Sequence, residues 1–493
     1  MQYRIYPSIG IARLGKSAES FIGPEVSGSS GTEFNGMGLE VPVTEYKTGD
    51  TGDPNTSFLV KRQAARFRIY QFDLPGDPGR PAELPAGAKV EWRVKLVNKK
   101  DAVQRPASPP ASPTPITVIS GREDRVIDSG WQRISTTDAT PLELAGKYLN
   151  RPVALGSLTF DPAGNLLVIG ASGNSRTYEN APIGLDFYNN PGWHDDVCDG
   201  PVTAKIIFDD HTEATVEPAW VVVAPPDFAP AVQGVVTLYD TILQAAISAK
   251  LVSLPAQPSF TEHILPTIRR ARGLQWVHND VTWPGISSNF AQLSNTSNTP
   301  ATVTRRENAV KGARRVEQAF THSDYTFRLR DWQEDYLEKY RTGDFIADFG
   351  TATLPDPHAA QTLTRVVLES AVGEGFFPGI EAGIILTDTS IYTTPFEFRI
   401  DHNKLNAGDL TALMALPWQA DFLKCGAGWW PSQRPNHVPG AGRPDWDRGI
   451  RAHDGINRHQ DLVNRVMKLG VVTRRPDVGN QEVQEESRRD PGV

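Results

Sequence analysis

The apolar and polar positions of this chain follow two regimes. Through the first half, short runs rich in β-branched and aromatic residues are bounded by Gly, Pro, Asp and Asn, which reads as strands. These runs are Val60 to Phe72, Lys89 to Val97, Leu158 to Ile169, Val202 to Phe208 and Ala219 to Val223. Their spacing predicts sandwich-like sheets rather than a βαβ wind. In the second half the apolar residues recur at three- and four-residue spacing, which predicts helices over Val235 to Leu251, Thr261 to Arg272, Trp332 to Arg341, Leu363 to Ala371 and His459 to Leu469. The expected fold class is α+β: a β-rich, sandwich-like N-terminal half and a mixed, more helical C-terminal half. The strand pattern breaks at APPDFAPAVQ, so a soft boundary falls at Asp227 to Gln233. That divides the chain into a β-rich domain over 1–230, a mixed helical catalytic region over 231–480 and a loose polar tail over 481–493, with one composite domain as the alternative. The proline run Pro106 to Pro115 is expected to be an exposed loop, since its prolines remove ladder donors.

Chemistry concentrates in Leu416 to Pro435, LPWQADFLKCGAGWWPSQRP. Pro417 suits the first turn of a helix, and Trp418 to Lys424 can continue it. On such a helix Asp421 and Cys425 share a face, because residues four apart are neighbours. Gly426 and Gly428 let the backbone reverse, and Pro431 forbids further helix while biasing Trp430 toward an extended conformation. A carboxylate, a thiol and two indoles, Trp429 and Trp430, are thereby gathered at one bend. Trp418, Phe422, Trp429 and Trp430 form an apolar surrounding that should raise the pKa of Asp421 by desolvation, which suits a proton acceptor near neutrality. The bland alternative is that Asp421 pairs locally with Lys424 or Arg434.

Composition narrows the classes. With 39% hydrophobic and 22% charged residues over 493 positions, this is an ordinary globular make-up. A formal charge of −8 argues against a nucleic-acid binder. No run reaches membrane-span length and the N-terminus lacks a signal-sequence pattern, so a cytoplasmic location without membrane contact is the expectation. Two cysteines make neither a disulfide framework nor a Cys-rich zinc site; Cys198 reads as a buried free thiol.

PWQADFLKC followed by WWPSQRP resembles the family of cysteine tryptophylquinone-dependent amino-acid oxidases. The likeness continues in YRIYPSIGIARLG (Tyr3 to Gly15), FIGPE (Phe21 to Glu25), VKRQAARFRIYQF (Val60 to Phe72) and GWHDDVCDGPVTA (Gly192 to Ala204). It recurs in AWVVVAPPDF (Ala219 to Phe228), FFPGIEAG (Phe376 to Gly383) and NAGDLTALM (Asn406 to Met414). Several uncommon words in one order are harder to match by chance than one short pattern. The resemblance implies a cofactor made from the chain itself, a thioether from Cys425 to a tryptophan oxidised to an ortho-quinone. Trp430 is preferred over Trp429, because Pro431 fixes its backbone. It also implies Asp421 as the base and as a participant in cofactor formation, a separate flavoprotein maturase as partner, a homo-oligomer, and dioxygen as electron acceptor. The implied reaction is oxidative deamination of a primary amine, of an amino acid or amino-acid-derived metabolite, through a Schiff base with the quinone, releasing ammonia and hydrogen peroxide. Two departures stand out. Only Gly426, Ala427 and Gly428 separate Cys425 from the WWP run, where well-known members carry a long insertion, and Ala371 falls where some relatives carry a cysteine. Substrate identity is therefore not inherited. Two other readings remain: a quinone protein acting on a peptide or natural-product intermediate as dehydrogenase or oxygenase, and a non-enzymatic relative with Cys425 and the Trp pair unmodified.

The remaining polar clusters carry weaker signals. His194, Asp195, Asp196 and Asp199 match neither an EF-hand loop nor a zinc pattern and read as a structural turn, so no metal is expected. His437, His453 and His459 come after the Trp pair and are candidates for the pocket, each more often a packed or exposed residue. GEGFFPGIEAG (Gly373 to Gly383) is not a phosphate loop, and it is expected to bring Phe376, Phe377 and Glu381 near the substrate. Trp418 is expected as a further pocket wall. Arg13 and Arg434 are candidates for a carboxylate clamp, since guanidinium binds carboxylate through two parallel hydrogen bonds.

Overall fold

The computed structural model describes the chain except residues 54–55, 75, 106–114, 139, 184–188, 231, 320, 323–324, 354, 374–381, 425–431, 439–444, 448–449, 451–455, 475–482 and 486–493. Among the described residues, sixteen strands are hydrogen-bonded into one sheet. Its main path runs Ile127–Asp128, Val97–Asn98, Cys198–Ile207, Glu213–Ala224, Gln2–Tyr6, Arg62–Phe72, Leu166–Gly170, Arg151–Phe160, Leu142–Tyr148. Most neighbours are antiparallel. Glu213–Ala224 instead runs parallel to Gln2–Tyr6 and to Ile9–Arg13, and Ser20–Ile22 runs parallel to Arg62–Phe72. The centre of the sheet is apolar on both faces, as expected of strands covered on both sides: Ala219 to Ala224 and Ile9 to Ala12 are buried. Arg66 is buried mid-strand and is tolerated because Glu25, Glu40 and Asp161 all pair with its guanidinium.

The fold is α+β, with the sheet in the first half and most helices in the second. The helical expectations hold with shifted ends, as Leu238–Ser248, Leu265–Gly273, Asp331–Thr342, Ala360–Glu369 and Ile456–Arg465. Leu238–Ser248 starts where it does because Thr237 and Asp240 form a reciprocal capping box. Pro300–Arg314 is a helix that apolar periodicity did not mark; Thr299 caps it and Pro300 opens it. The run Leu158 to Ile169 is not one strand but a hairpin of Arg151–Phe160 and Leu166–Gly170. The Asp161 carboxylate accepts from Ala163 and Asn165 N–H at 2.9 Å each, closing the DPAGN turn. Lys89 to Val97 likewise splits, into Lys89–Val94 and Val97–Asn98.

Ala360–Glu369 lies against Ile9–Arg13, tied where Ser8 N–H donates to Thr364 Oγ1 at 2.9 Å. This seats the helical half on the sheet centre. The proline loop is described only at Pro115. Within the polar tail, Val483–Glu485 pairs with Val472–Arg474. No helix among the described residues is long and apolar enough to cross a membrane.

Candidate active site

The helix Trp418–Lys424 forms as its sequence suggests, immediately after Pro417. Its first five residues are inside the protein: Trp418, Gln419, Ala420, Asp421 and Phe422 are each 1% exposed. A buried helix must satisfy its orphan N–H groups from within the protein. Here a distant segment does so. The Asp195 carboxylate accepts from Trp418 N–H at 2.9 Å, and Asn190 Nδ2 donates to Leu416 O at 2.8 Å. Gln419 is held by Ser175 Oγ at 2.7 Å and reaches Gly173 O at 3.4 Å. The residues gripping the helix thus come from Gly173 to Asp195, where Ser175–Thr177 and Trp193–Asp195 pair as a small hairpin.

Behind that hairpin lies a buried charge cluster. Lys100 and Asp195 are fully buried, with Nζ to Oδ2 at 2.5 Å. Burial pushes the Lys100 ammonium down to about 8, against the opposing pull of Asp195 and, more weakly, Asp421. Burial likewise pushes Asp196 up to about 7 and Asp199 up to about 6. His194 is pushed down to about 4 by burial, and its ring stacks on Tyr148 at 4.7 Å and on Tyr178 at 5.1 Å. Asp199 accepts from Trp220 Nε1 at 3.0 Å and from Thr411 Oγ1 at 2.7 Å. Among the described residues, no group of three or more His, Cys, Asp or Glu could hold a metal ion. The His–Asp–Asp segment runs through Trp193–Asp195 and into the start of the long strand Cys198–Ile207. Its acids brace the helix and the Asn406 to Met414 segment.

The helix is walled by rings. Trp418 meets Phe422 edge-on at 5.2 Å, Phe422 meets Phe228 at 5.9 Å, and Phe228 meets Trp446 at 4.9 Å. Arg434 lies over Trp446 at 5.1 Å and donates to Phe422 O at 2.7 Å, Pro435 O at 2.9 Å and Asp447 at 2.9 Å. In this arrangement Arg434 ties the helix to Pro435 and Asp447. Arg13 donates to Pro225 O at 3.1 Å and Ser370 O at 3.3 Å. His437 is half-buried, its N–H on Val277 O at 3.0 Å. Cys198 is a buried free thiol. Phe376, Phe377, Glu381, Cys425, Trp429, Trp430 and His453 lie outside the described residues, as does the side chain of His459.

A shallow depression of about 460 Å³, open solvent included, is lined by residues that include Gln63, Asp227, Gln233, Ser370, Ala371 and Ser432. It touches the chain at Val372, shortly before residues 374–381, and at Ser432, directly after residues 425–431. Sequence reasoning did not assign site roles to Lys100, Asn190, Phe228 or Trp446. Phe228 stood in a word shared with the resembled family; nothing local marks Lys100, whose partner lies 95 residues away.

Two family models match the chain. One is described as L-lysine epsilon oxidase N-terminal, over residues 6–223, and the other as L-lysine epsilon oxidase C-terminal domain, over residues 316–441. The L-lysine 6-oxidase of Marinomonas mediterranea is 24% identical, over 86% of this chain and 71% of that protein. The crystal structure of the L-Lys epsilon-oxidase from Marinomonas mediterranea superposes with a TM-score of 0.77 at 19% identity, covering 99% of this chain and 95% of that one. The structure of the Schiff base intermediate of the same oxidase with L-Lys gives 0.76 over the same shares of both chains, again at 19% identity. These structural likenesses bear on the fold.

Proposed function

The chain belongs to the L-lysine epsilon oxidase family, and on that premise we propose that it oxidatively deaminates a primary amine of an amino acid or amino-acid-derived metabolite. The reaction takes up dioxygen and water and releases ammonia and hydrogen peroxide. The proposed cofactor is a cysteine tryptophylquinone built from Cys425 and Trp430, with Trp429 as the alternative ring, matured by a flavoprotein partner. When formed, such a group supplies an electrophilic carbonyl and a two-electron sink that no unmodified side chain offers.

One observation carries this reading: a carboxylate, Asp421, sits 1% exposed on a braced helix four residues ahead of Cys425. The described flank fits such a group, because a redox-active ring needs a water-poor wall and a proton acceptor beside it. Trp418, Phe422, Phe228 and Trp446 form the wall. Asp421 takes the proton from the carbon bearing the amine, and its fixed helix holds the carboxylate ready before substrate arrives. The depression lined in part by Asp227, Gln233 and Ser432 is the assigned approach for the amine, and Phe376, Phe377, Glu381 and His437 are kept as candidates for the substrate pocket. We assign the working protein as a homo-oligomer.

The test is co-expression with the maturase followed by peptide mass analysis and a peroxide assay over an amine panel. A thioether between Cys425 and one Trp, with added oxygen, is expected in the wild type and absent in Cys425→Ser. Asp421→Asn is expected to lose about 100- to 10,000-fold in turnover, the usual range for a general base. Turnover without peroxide would point to a dehydrogenase or oxygenase instead, and an unmodified mass in the matured wild type would refute the quinone.

A further inference from the structure

The helix Ala360–Glu369 delivers Ser370, Ala371 and Val372 to the depression, and the residue that ends it is a carboxylate only 3% exposed. Glu369 takes no part in the chemistry described above. Its side chain is nonetheless engaged at both oxygens: Oε1 accepts from Arg365 Nε at 2.8 Å and faces Arg270 Nη2 at 3.4 Å, while Oε2 accepts from Ser27 Oγ at 2.9 Å. Its main-chain oxygen accepts from Gln233 Nε2 at 3.4 Å. Three of these connections end at the depression. Ser27 belongs to the loop that supplies Pro24, Ser29 and Ser30, Gln233 is itself a lining residue, and Ser370 follows Glu369 directly. One buried residue thus joins its own stretch of the wall to two others, which lie 342 and 136 residues away along the chain.

Burial alone would raise the pKa of the Glu369 carboxyl, but Arg270, Arg365 and Ser27 together lower it, so the group is held as an anion. An anion fixed by two guanidiniums and a hydroxyl is not free to change rotamer, because breaking those contacts strands a charge in low dielectric. Arg270 passes the constraint on: its Nη1 pairs with Asp240 Oδ2 at 2.8 Å, and Asp240 closes the capping box on Thr237. There the chain after Gly234 runs beside the chain after Glu369, with Leu238 N–H donating to Ala371 O at 3.0 Å and Gly373 N–H to Val236 O at 3.2 Å. We propose that Glu369 is a positioning residue for the amine: it fixes the spacing between the Ser27 loop, Gln233 and the stretch Ser370 to Val372, and so the width of the depression. This rests on the reading of that depression as the approach for the amine.

The experiment uses the full, matured chain and reads KM, kcat and the thermal midpoint with the best wild-type substrate from a panel of α-amino acids, ω-amino acids and alkylamines. Ser27→Ala removes one contact at an exposed residue. It should raise KM about two- to tenfold with kcat unchanged, the range an ordinary hydrogen bond converts to when binding alone is affected. Ser27→Thr keeps the hydroxyl and should restore the wild-type KM. Glu369→Ala should raise KM further, and adding Ser27→Ala to it should raise KM no more, since the hydroxyl then has no carboxylate to meet. An unmoved KM in Ser27→Ala, a loss confined to kcat, or additive effects in the double variant overturn the proposal. If Glu369→Ala does not fold, Ser27→Ala and Ser27→Thr decide alone, and equal KM values in the two overturn it. Ser29→Trp adds bulk to the lining while leaving Glu369 and Ser27 in place. If it leaves KM unchanged, the depression is not the approach and the reading beneath the proposal falls; if it raises KM while Ser27→Ala does not, only the role of Glu369 falls.

Discussion

Asp196→Asn should make the protein more stable, and increasingly so as pH rises. The Asp196 carboxyl is 2% exposed; burial raises it from 3.8 to about 7, helped by the charge of Asp195 and opposed by N–H donors from Asn174, at 2.8 Å, and Gly173. Between those two pH values the folded chain holds a proton that the unfolded chain releases. The stability carried by the protonated form is complete below pH 4 and is lost as pH rises through 7. Three units of pKa difference correspond to about 4 kcal/mol. Asparagine keeps an acceptor for the two N–H donors and cannot ionise, so the variant avoids that loss. An unfolding entropy of about 2 cal/mol/K per residue makes 1 kcal/mol worth roughly 1 °C in a chain of this length. Differential scanning calorimetry at one scan rate should therefore show the variant ahead by about 4 °C near pH 8 and by only about 1 °C near pH 4.5. A constant offset across that range, or a gap that narrows with pH, would refute the argument, because neither follows from a buried carboxyl with a raised pKa.

Gly200→Ala should cost about 1–3 kcal/mol or more, since an added Cβ would stand 1.8 Å from the backbone oxygen of Lys95, whose N–H is itself bonded to Pro201 O; a denaturant melt reads it directly. Arg434→Met should cost about 3–5 kcal/mol, because Asp447 and the carbonyls of Phe422 and Pro435 lose their donor together. Arg434→Lys should recover little of this, as an ammonium does not reproduce the planar fork. Melts of both variants, with cross-link yield in the matured protein, would check it.

Much of the candidate site can be read along the chain. Trp418 to Lys424 carries a helix in its own sequence, with a proline before it and glycines after, and Asp421 falls four residues ahead of Cys425 by spacing alone. The strands Arg62–Phe72 and Glu213–Ala224 announce themselves because their apolar runs are long, and the membership of a family is written in words spread over the whole chain. These features are local: they depend on neighbours a few residues apart, which sequence order preserves. What braces the helix is not local. Asp195 meets Trp418 across 223 residues, Asn190 meets Leu416 across 226, and Lys100 meets Asp195 across 95. No periodicity links such positions, so His194, Asp195 and Asp196 look in the sequence like an isolated acidic turn, and Lys100 looks like one more surface lysine. Only folding brings them into one dry compartment, where low dielectric turns an ordinary lysine and the carboxyls of Asp196 and Asp199 into groups with displaced protonation. Sequence order determined which residues could do the chemistry, and burial in the assembled sheet decided which charges stand behind them.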